Sequence, residues 1–274
     1  MRNVILHHHF FKNAGATLVK TLSSQYGDKF IEFHPSNETK GIFDERTLES
    51  LLMQSDYQVI SSHHLIGKNY NLIDFLRANY RFYDFVLIRH PLARLLSIHR
   101  YYNLLPKSTH PIVSVAQEKN LGAFLKHLMR HHPNHLLSPQ VCNLSGGGVL
   151  PPSYAHLKLA LDRTEDIFVC GTVENYDDTM IAAEYFLKPI FPTLKLHYSS
   201  RVNVSNVDSD EDVQFNLLAA ELGDGLYKTL LDMNAFDIEL WGSVKNNLNW
   251  RLRHIPFLEN LKKDFQDRCA SQIF

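Results

Sequence analysis

Residues Val86–Tyr102 read V-L-I-R-H-P-L-A-R-L-L-S-I-H-R-Y-Y. The run Phe82–Ile88 that leads into them is apolar and does not alternate, as a strand covered on both faces should be. Arg89 closes that strand. Pro91 suits the first turn of a helix, predicted to run to about Asn103. A buried strand that passes within three residues into a helix is the unit of an α/β fold.

Working outward, the same pattern returns along the chain. Buried strands are predicted at Asn3–His8, Tyr57–Ser62 and Ile167–Thr172, with a weaker one at Phe30–His34. Helical patterns fall between and after them: Thr17–Gln25, Asp44–Gln54 with Leu48, Leu51 and Leu52 at helical spacing, Pro152–Arg163 and Asp177–Leu187. Alternating strands and helices imply a parallel sheet with helices on both faces. The segment Asp210–Trp250 has no good strand and reads as packed helices. The expected architecture is therefore α/β: a P-loop-like three-layer sandwich, a central parallel sheet flanked by helices, with a helical C-terminal third. No repeat or Pro/Gly/Ser-rich linker divides residues 1–274, which read as one domain.

Composition limits the partners. The 274 residues carry 28 Lys+Arg against 29 Asp+Glu, a formal net charge of −1, which argues against a surface built for nucleic acid. Hydrophobic residues are 45% and charged residues 21%, the balance of a globular protein. No run reaches the ~20 apolar residues of a membrane span. No secretory signal is visible. The chain is expected to be cytoplasmic, or the excised soluble domain of a longer protein, and the N-x-S/T sequons at Asn37, Asn143 and Asn203 then carry little weight. Cys142, Cys170 and Cys269 cannot all pair, so a disulfide scaffold is not expected.

In such a fold ligands bind where strands end. After the first strand comes H-F-F-K-N-A-G-A-T, His9–Thr17, and then a helix. A small-residue turn into a helix offers free backbone N–H groups and a positive dipole end, hence an anion site. Lys12 adds charge; the plain alternative is an ordinary turn with an exposed lysine. Across the other junction, Arg89 and Ser97 can reach one phosphate. Arg94 and Arg100 add positive charge or simply face solvent. No G-x-x-x-x-G-K-[ST] occurs, and the strand before Arg89 lacks the terminal acid that holds Mg²⁺ in many nucleotide triphosphatases.

Together these stretches resemble the sulfotransferases that use 3′-phosphoadenylyl sulfate (PAPS), in particular the heparan sulfate 2-O-sulfotransferase-like carbohydrate branch and its bacterial relatives. His9–Thr17 is similar to that family's 5′-phosphosulfate loop, H-I-P-K-T-G-G-T-[ST]. Arg89–Ser97 is similar to its R-D-P-x-x-R-x-x-S motif. Weaker likenesses follow in order: Ser62–Gly67 to G-H-x-x-x-G, Gln140–Gly146 to Q-x-x-x-L-x-G, Gly171–Glu174 to G-x-x-E, Asn203–Ser205 to N-x-S, and Asp224–Tyr227 to D-x-x-L-Y. The chain departs from the pattern at Phe11, Ala14, Ala16 and His90. Two alanines tighten the room for phosphate and remove a hydroxyl, but the backbone N–H groups remain.

The resemblance implies sulfuryl transfer from PAPS to a hydroxyl-bearing acceptor such as a saccharide, with adenosine 3′,5′-bisphosphate as product and no metal. Lys12 would stabilise the leaving oxygen. Asn13, Ala14, Gly15, Ala16 and Thr17 would hold the 5′-phosphosulfate, and Arg89 and Ser97 the 3′-phosphate. Counting back four residues from Gly67 makes His63 the general base, with His64 in reserve. Two readings compete: a P-loop small-molecule kinase, and a catalytically inactive sulfotransferase-like binding protein. Of the 16 histidines, His7, His8 and His9 alternate in direction along a strand and are not expected to converge on a metal. His127, His131, His132 and His135 read as a solvated helix end. Gly146–Gly148 reads as a mobile loop, and Asn103–His110 and Asn134–Pro152 as loops around the acceptor.

Overall fold

Five parallel strands form one sheet in the order β2-β3-β1-β4-β5. They are β1 Arg2–His8, β2 Phe30–Glu32, β3 Val59–Ser62, β4 Tyr80–Ile88 and β5 Val169–Thr172. The computed structural model describes residues 1–35, 43, 45–65, 76–107, 109–147, 151–198 and 211–271. The expected Asp44 helix start, Gly67, Gly148, and the Asn37 and Asn203 sequons lie outside them.

The α/β reading holds, with a parallel sheet flanked by helices and helices filling the C-terminal part. One face of the sheet presents Ile5, Val59, Phe85 and Leu87 to α1 (Gly15–Tyr26), α8 (Tyr176–Leu187) and α12 (Leu258–Ala270), where Leu18, Leu22, Met180 and Phe265 are buried. The other face presents Val4, Leu6 and Ile60 to Leu48, Leu51 and Leu52 of α2 (Glu45–Gln54). Alternation along β1 therefore sends Ile5, His7 and His9 to the α1 side, and Val4, Leu6 and His8 to the α2 side.

Pro91 opens α3 (Pro91–Leu104) as expected. Beyond it lies α5 (Leu121–His131), whose end carries the histidines read as a helix end, and the structure adds α4 (Pro111–Glu118) and α6 (Pro139–Leu144), which the sequence reading did not anticipate. Asn134–Pro152 is thus not simply a loop. The pattern expected at Pro152–Arg163 starts later, giving α7 (Tyr154–Asp166), because Ser153 caps it in a box with His156. A helical cluster packs Leu92, Leu95 and Ile98 against Phe124 and Leu128, with Leu218 of α9 (Glu211–Leu222) and Leu230 of α10 (Asp224–Met233). The long helix α11 (Ala235–Leu252) packs Leu240 and Val244 against Val86, Ile88 and Cys170 of the sheet. Among the described residues no helix is long and apolar enough to cross a membrane.

Candidate functional site

The connection after β1 leads to the β2 side of the sheet, and the one after β3 crosses back to β4. The crevice between the ends of β1 and β4 is therefore the switch point of this sheet. The two motif-bearing stretches, residues 9–17 and 89–97, leave the sheet there. They touch: the Arg89 guanidinium donates to the Lys12 carbonyl at 3.1 Å.

The turn at the head of α1 is tight. Lys12 and Ala14 both have left-handed backbones, φ 65° and 58°. Asn13 N–H donates to the Phe10 carbonyl and Thr17 N–H to the Ala14 carbonyl, each at 3.1 Å. Those two amides, expected among the phosphate ligands, are already engaged. Among the described residues the N–H groups of Ala14, Gly15 and Ala16 meet no acceptor, and no side chain caps the helix. Three free donors at a helix N-terminus make a cradle for an anion.

Charge surrounds it. Lys12 is half-buried, with Nζ 4.3 Å from the centre of the Tyr101 ring. Burial first, then the neighbouring Arg89 guanidinium, pushes its pKa down to about 8. Arg89 is also half-buried, and its Nε has no partner. Burial followed by Arg100 lowers its pKa, while Glu174 opposes the shift. Ser97 and Thr17 are buried in their helices. Arg94, given above as cradle charge or solvent-facing, is instead 7% exposed and structural: it donates to the Phe11 carbonyl at 3.2 Å and the His135 carbonyl at 3.3 Å. Arg100 is exposed.

Two residues from the weaker motif likenesses, Gln140 and Glu174, hold the crevice together with a third, Asp237. Gln140 Oε1 accepts from Asn13 Nδ2 at 2.7 Å and from Arg89 N–H at 2.9 Å, while its Nε2 donates to the Arg89 carbonyl at 2.8 Å. Asn13 also donates to the Leu87 carbonyl at 2.7 Å, so its side chain is a structural tie. Glu174 accepts from His90 N–H at 3.1 Å and Trp241 Nε1 at 2.9 Å. Asp237, fully buried and absent from the sequence reading, accepts from Val141 N–H at 2.8 Å and from the Gln140 N–H and Nε2 at 3.1 and 3.2 Å. No motif marks it; it lies 97 residues from its partner.

His63 leaves β3 and lies against the same loop. Its ring stacks on His9 with centroids 3.8 Å apart, and its Nδ1 lies 2.5 Å from the His9 carbonyl. A carbonyl only accepts, so Nδ1 carries the proton and Nε2 keeps a lone pair. Burial lowers the His63 pKa, and the bond to His9 pulls it back up. His64 is half-buried, with its N–H on Ser62 Oγ at 3.1 Å. His8 belongs to the other face, between the Leu65 carbonyl and Asp84. His127, His131 and His132 pack their rings together at the end of α5, where no three ligand atoms converge. Gly146 and Gly147 take positive φ after α6.

No family model matches the chain. A protein of Archaeoglobus fulgidus, described only as an uncharacterized protein, is 24% identical over 254 residues, covering 89% of this chain and 96% of that one.

Proposed function

We propose that this chain is a sulfotransferase that moves the sulfuryl group of PAPS to a hydroxyl acceptor. The observation that carries the reading is the cradle itself: three unpaired N–H groups at the head of α1, flanked by Lys12 and by an Arg89 guanidinium with an unpartnered Nε. The donor set is cationic and holds no carboxylate to bind Mg²⁺, which suits a phosphosulfate better than a metal–nucleotide complex. The donor molecule supplies an activated sulfuryl group; the chain supplies position and charge.

In this reading the amides of Ala14–Ala16 hold the 5′-phosphosulfate and Lys12, in its protonated form, faces the bridging oxygen that gains charge. Arg89 and Ser97 take the 3′-phosphate. His63 Nε2 takes the acceptor's proton, its tautomer set by the His9 carbonyl. The acceptor is a hydroxyl compound, a saccharide by family likeness. Titration calorimetry with adenosine 3′,5′-bisphosphate tests this. Binding without Mg²⁺ and tighter than AMP is the expected result. A preference for ATP with Mg²⁺ would shift the reading to a kinase. Indifference to all three nucleotides would leave a binding protein, the reading that Ala14 and Ala16 favour.

A further inference from the structure

The sheet register builds a second cluster beside the cradle. His7 pairs with Ser61, and Ser61 with Glu32. Two residues further on, the same face of the sheet carries His9, His63 and His34. His63 stacks on His9 at 3.8 Å and on His34 at 5.5 Å. The His9 Nδ1 lies 3.3 Å from Glu32 Oε1, and the ligand atoms of His9, Glu32 and His63 all lie within 4.8 Å of one another.

These groups have the chemistry of a metal site. His9 is 9% exposed, and its Nδ1 is buried without a hydrogen-bond partner. An orphaned ring nitrogen there is costly unless something else coordinates it. His63 already makes the outer bond of a ligating histidine, Nδ1–H to a carbonyl, leaving Nε2 for a metal. Tetrahedral ligands ~2.0–2.1 Å from an ion stand roughly 3.4 Å apart, which the His9–Glu32 edge matches. His34 Nε2 is 3.7 Å from the same carboxylate oxygen, a further nitrogen at hand. The His9 ring is held in place where the Cβ of any residue but glycine would stand at position 15, 1.9 Å from it.

We propose that His9, Glu32 and His63 bind one divalent transition-metal ion of the zinc class. Two imidazoles and one carboxylate favour zinc over magnesium or calcium, which prefer all-oxygen sets. Gly15, at the head of α1, packs on the His9 ring, so the Glu32 carboxylate is the group that offsets that positive helix end. Bound metal takes the Nε2 lone pair of His63. If His63 is the base, a consequence that rests on the sulfuryl-transfer reading, the ion switches transfer off.

The test is a Zn²⁺ titration of the chelator-treated chain by calorimetry, paired with diethyl pyrocarbonate labelling of His63 mapped by mass spectrometry. One equivalent should bind, and it should shield His63 from the reagent. Glu32→Gln, an isostere at an exposed position, should weaken binding at least ~10-fold and remove the shielding, with an unchanged thermal melt. His131→Gln should change neither. Failure of Zn²⁺ to bind at millimolar concentration, or binding lost in His131→Gln and kept in Glu32→Gln, overturns the site. Neither outcome touches the adenosine bisphosphate titration, so the two readings fail separately.

Discussion

The two ends of the sheet's C-terminal edge are built on opposite principles. Between β1 and β4 the chain gathers cations and free N–H groups around a gap. Between β1 and β3, and on to the end of β2, it stacks imidazoles with one carboxylate. The first half offers donors to an anion; the second offers lone pairs. His9 belongs to both, since its carbonyl fixes His63 and its ring packs on Gly15. Sulfuryl transfer needs both kinds of group side by side: charge for the leaving oxygen, a neutral base for the incoming one.

The comparison breaks most visibly at Lys12. Lys12→Ala should lower turnover by ~10³-fold or more with an unchanged melt, because a half-buried loop lysine supports charge and little core. A folded variant with normal turnover would strip the cradle of its catalytic role. On the other half, His63→Asn should cost at least ~10² in turnover and leave bisphosphate binding intact, while His64→Asn should cost much less. Equal losses for both would put the base elsewhere. Arg89→Ala separates the two phosphates: adenosine 3′,5′-bisphosphate should lose ~1.5–3 kcal/mol of binding and AMP far less. Calorimetry decides, and equal losses would mean that Arg89 does not read the 3′ group.

A pH profile sharpens the contrast further. In the proposed reaction Lys12 works protonated, and burial with the neighbouring Arg89 pushes its pKa down to about 8. Burial lowers the His63 pKa from its ordinary value, which favours the neutral ring at neutral pH. The profile of kcat/KM should therefore be flat through neutrality and fall as pH rises past about 8. A rise through that region would mean that neutral Lys12 is the working form. The smallest expected effect is at Ala14, whose φ of 58° suits glycine. Ala14→Gly should raise stability by up to ~1 kcal/mol, or a few degrees in Tm, by relieving a left-handed alanine. A lower Tm would show that chain entropy outweighs that strain.

The cradle was legible because its parts are contiguous. Residues 9–17 and 89–97 each carry strand end, turn and helix start in one short string, and apolar runs locate their strands. The Asn13 and Thr17 amides were misassigned because backbone pairing inside a turn leaves no trace in residue type. The histidine row was missed for a different reason. His9, Glu32 and His63 come from three strands, and only register sets them side by side. Alternation along β1 alone argued against convergence, and it holds within one strand; the ligands come from its neighbours. Asp237 was invisible because a lone buried acid has no pattern until its donors are known. The short α4 and α6, 8 and 6 residues long, offered too few turns for a periodicity to register.

The Gln140 side chain bears on how this molecule can be divided. It clasps Asn13 on one side and Arg89 on the other, and is itself held by Asp237 from α11. All five strands end by Thr172, so a fragment stopping there would keep the sheet's strands and both motifs. It would lose Asp237, the acid that holds the Gln140 strut in place. The smallest unit able to shape the crevice therefore reaches at least into α11, and its parts are not interchangeable modules but one arch, closed by a keystone more than a hundred residues from the first motif.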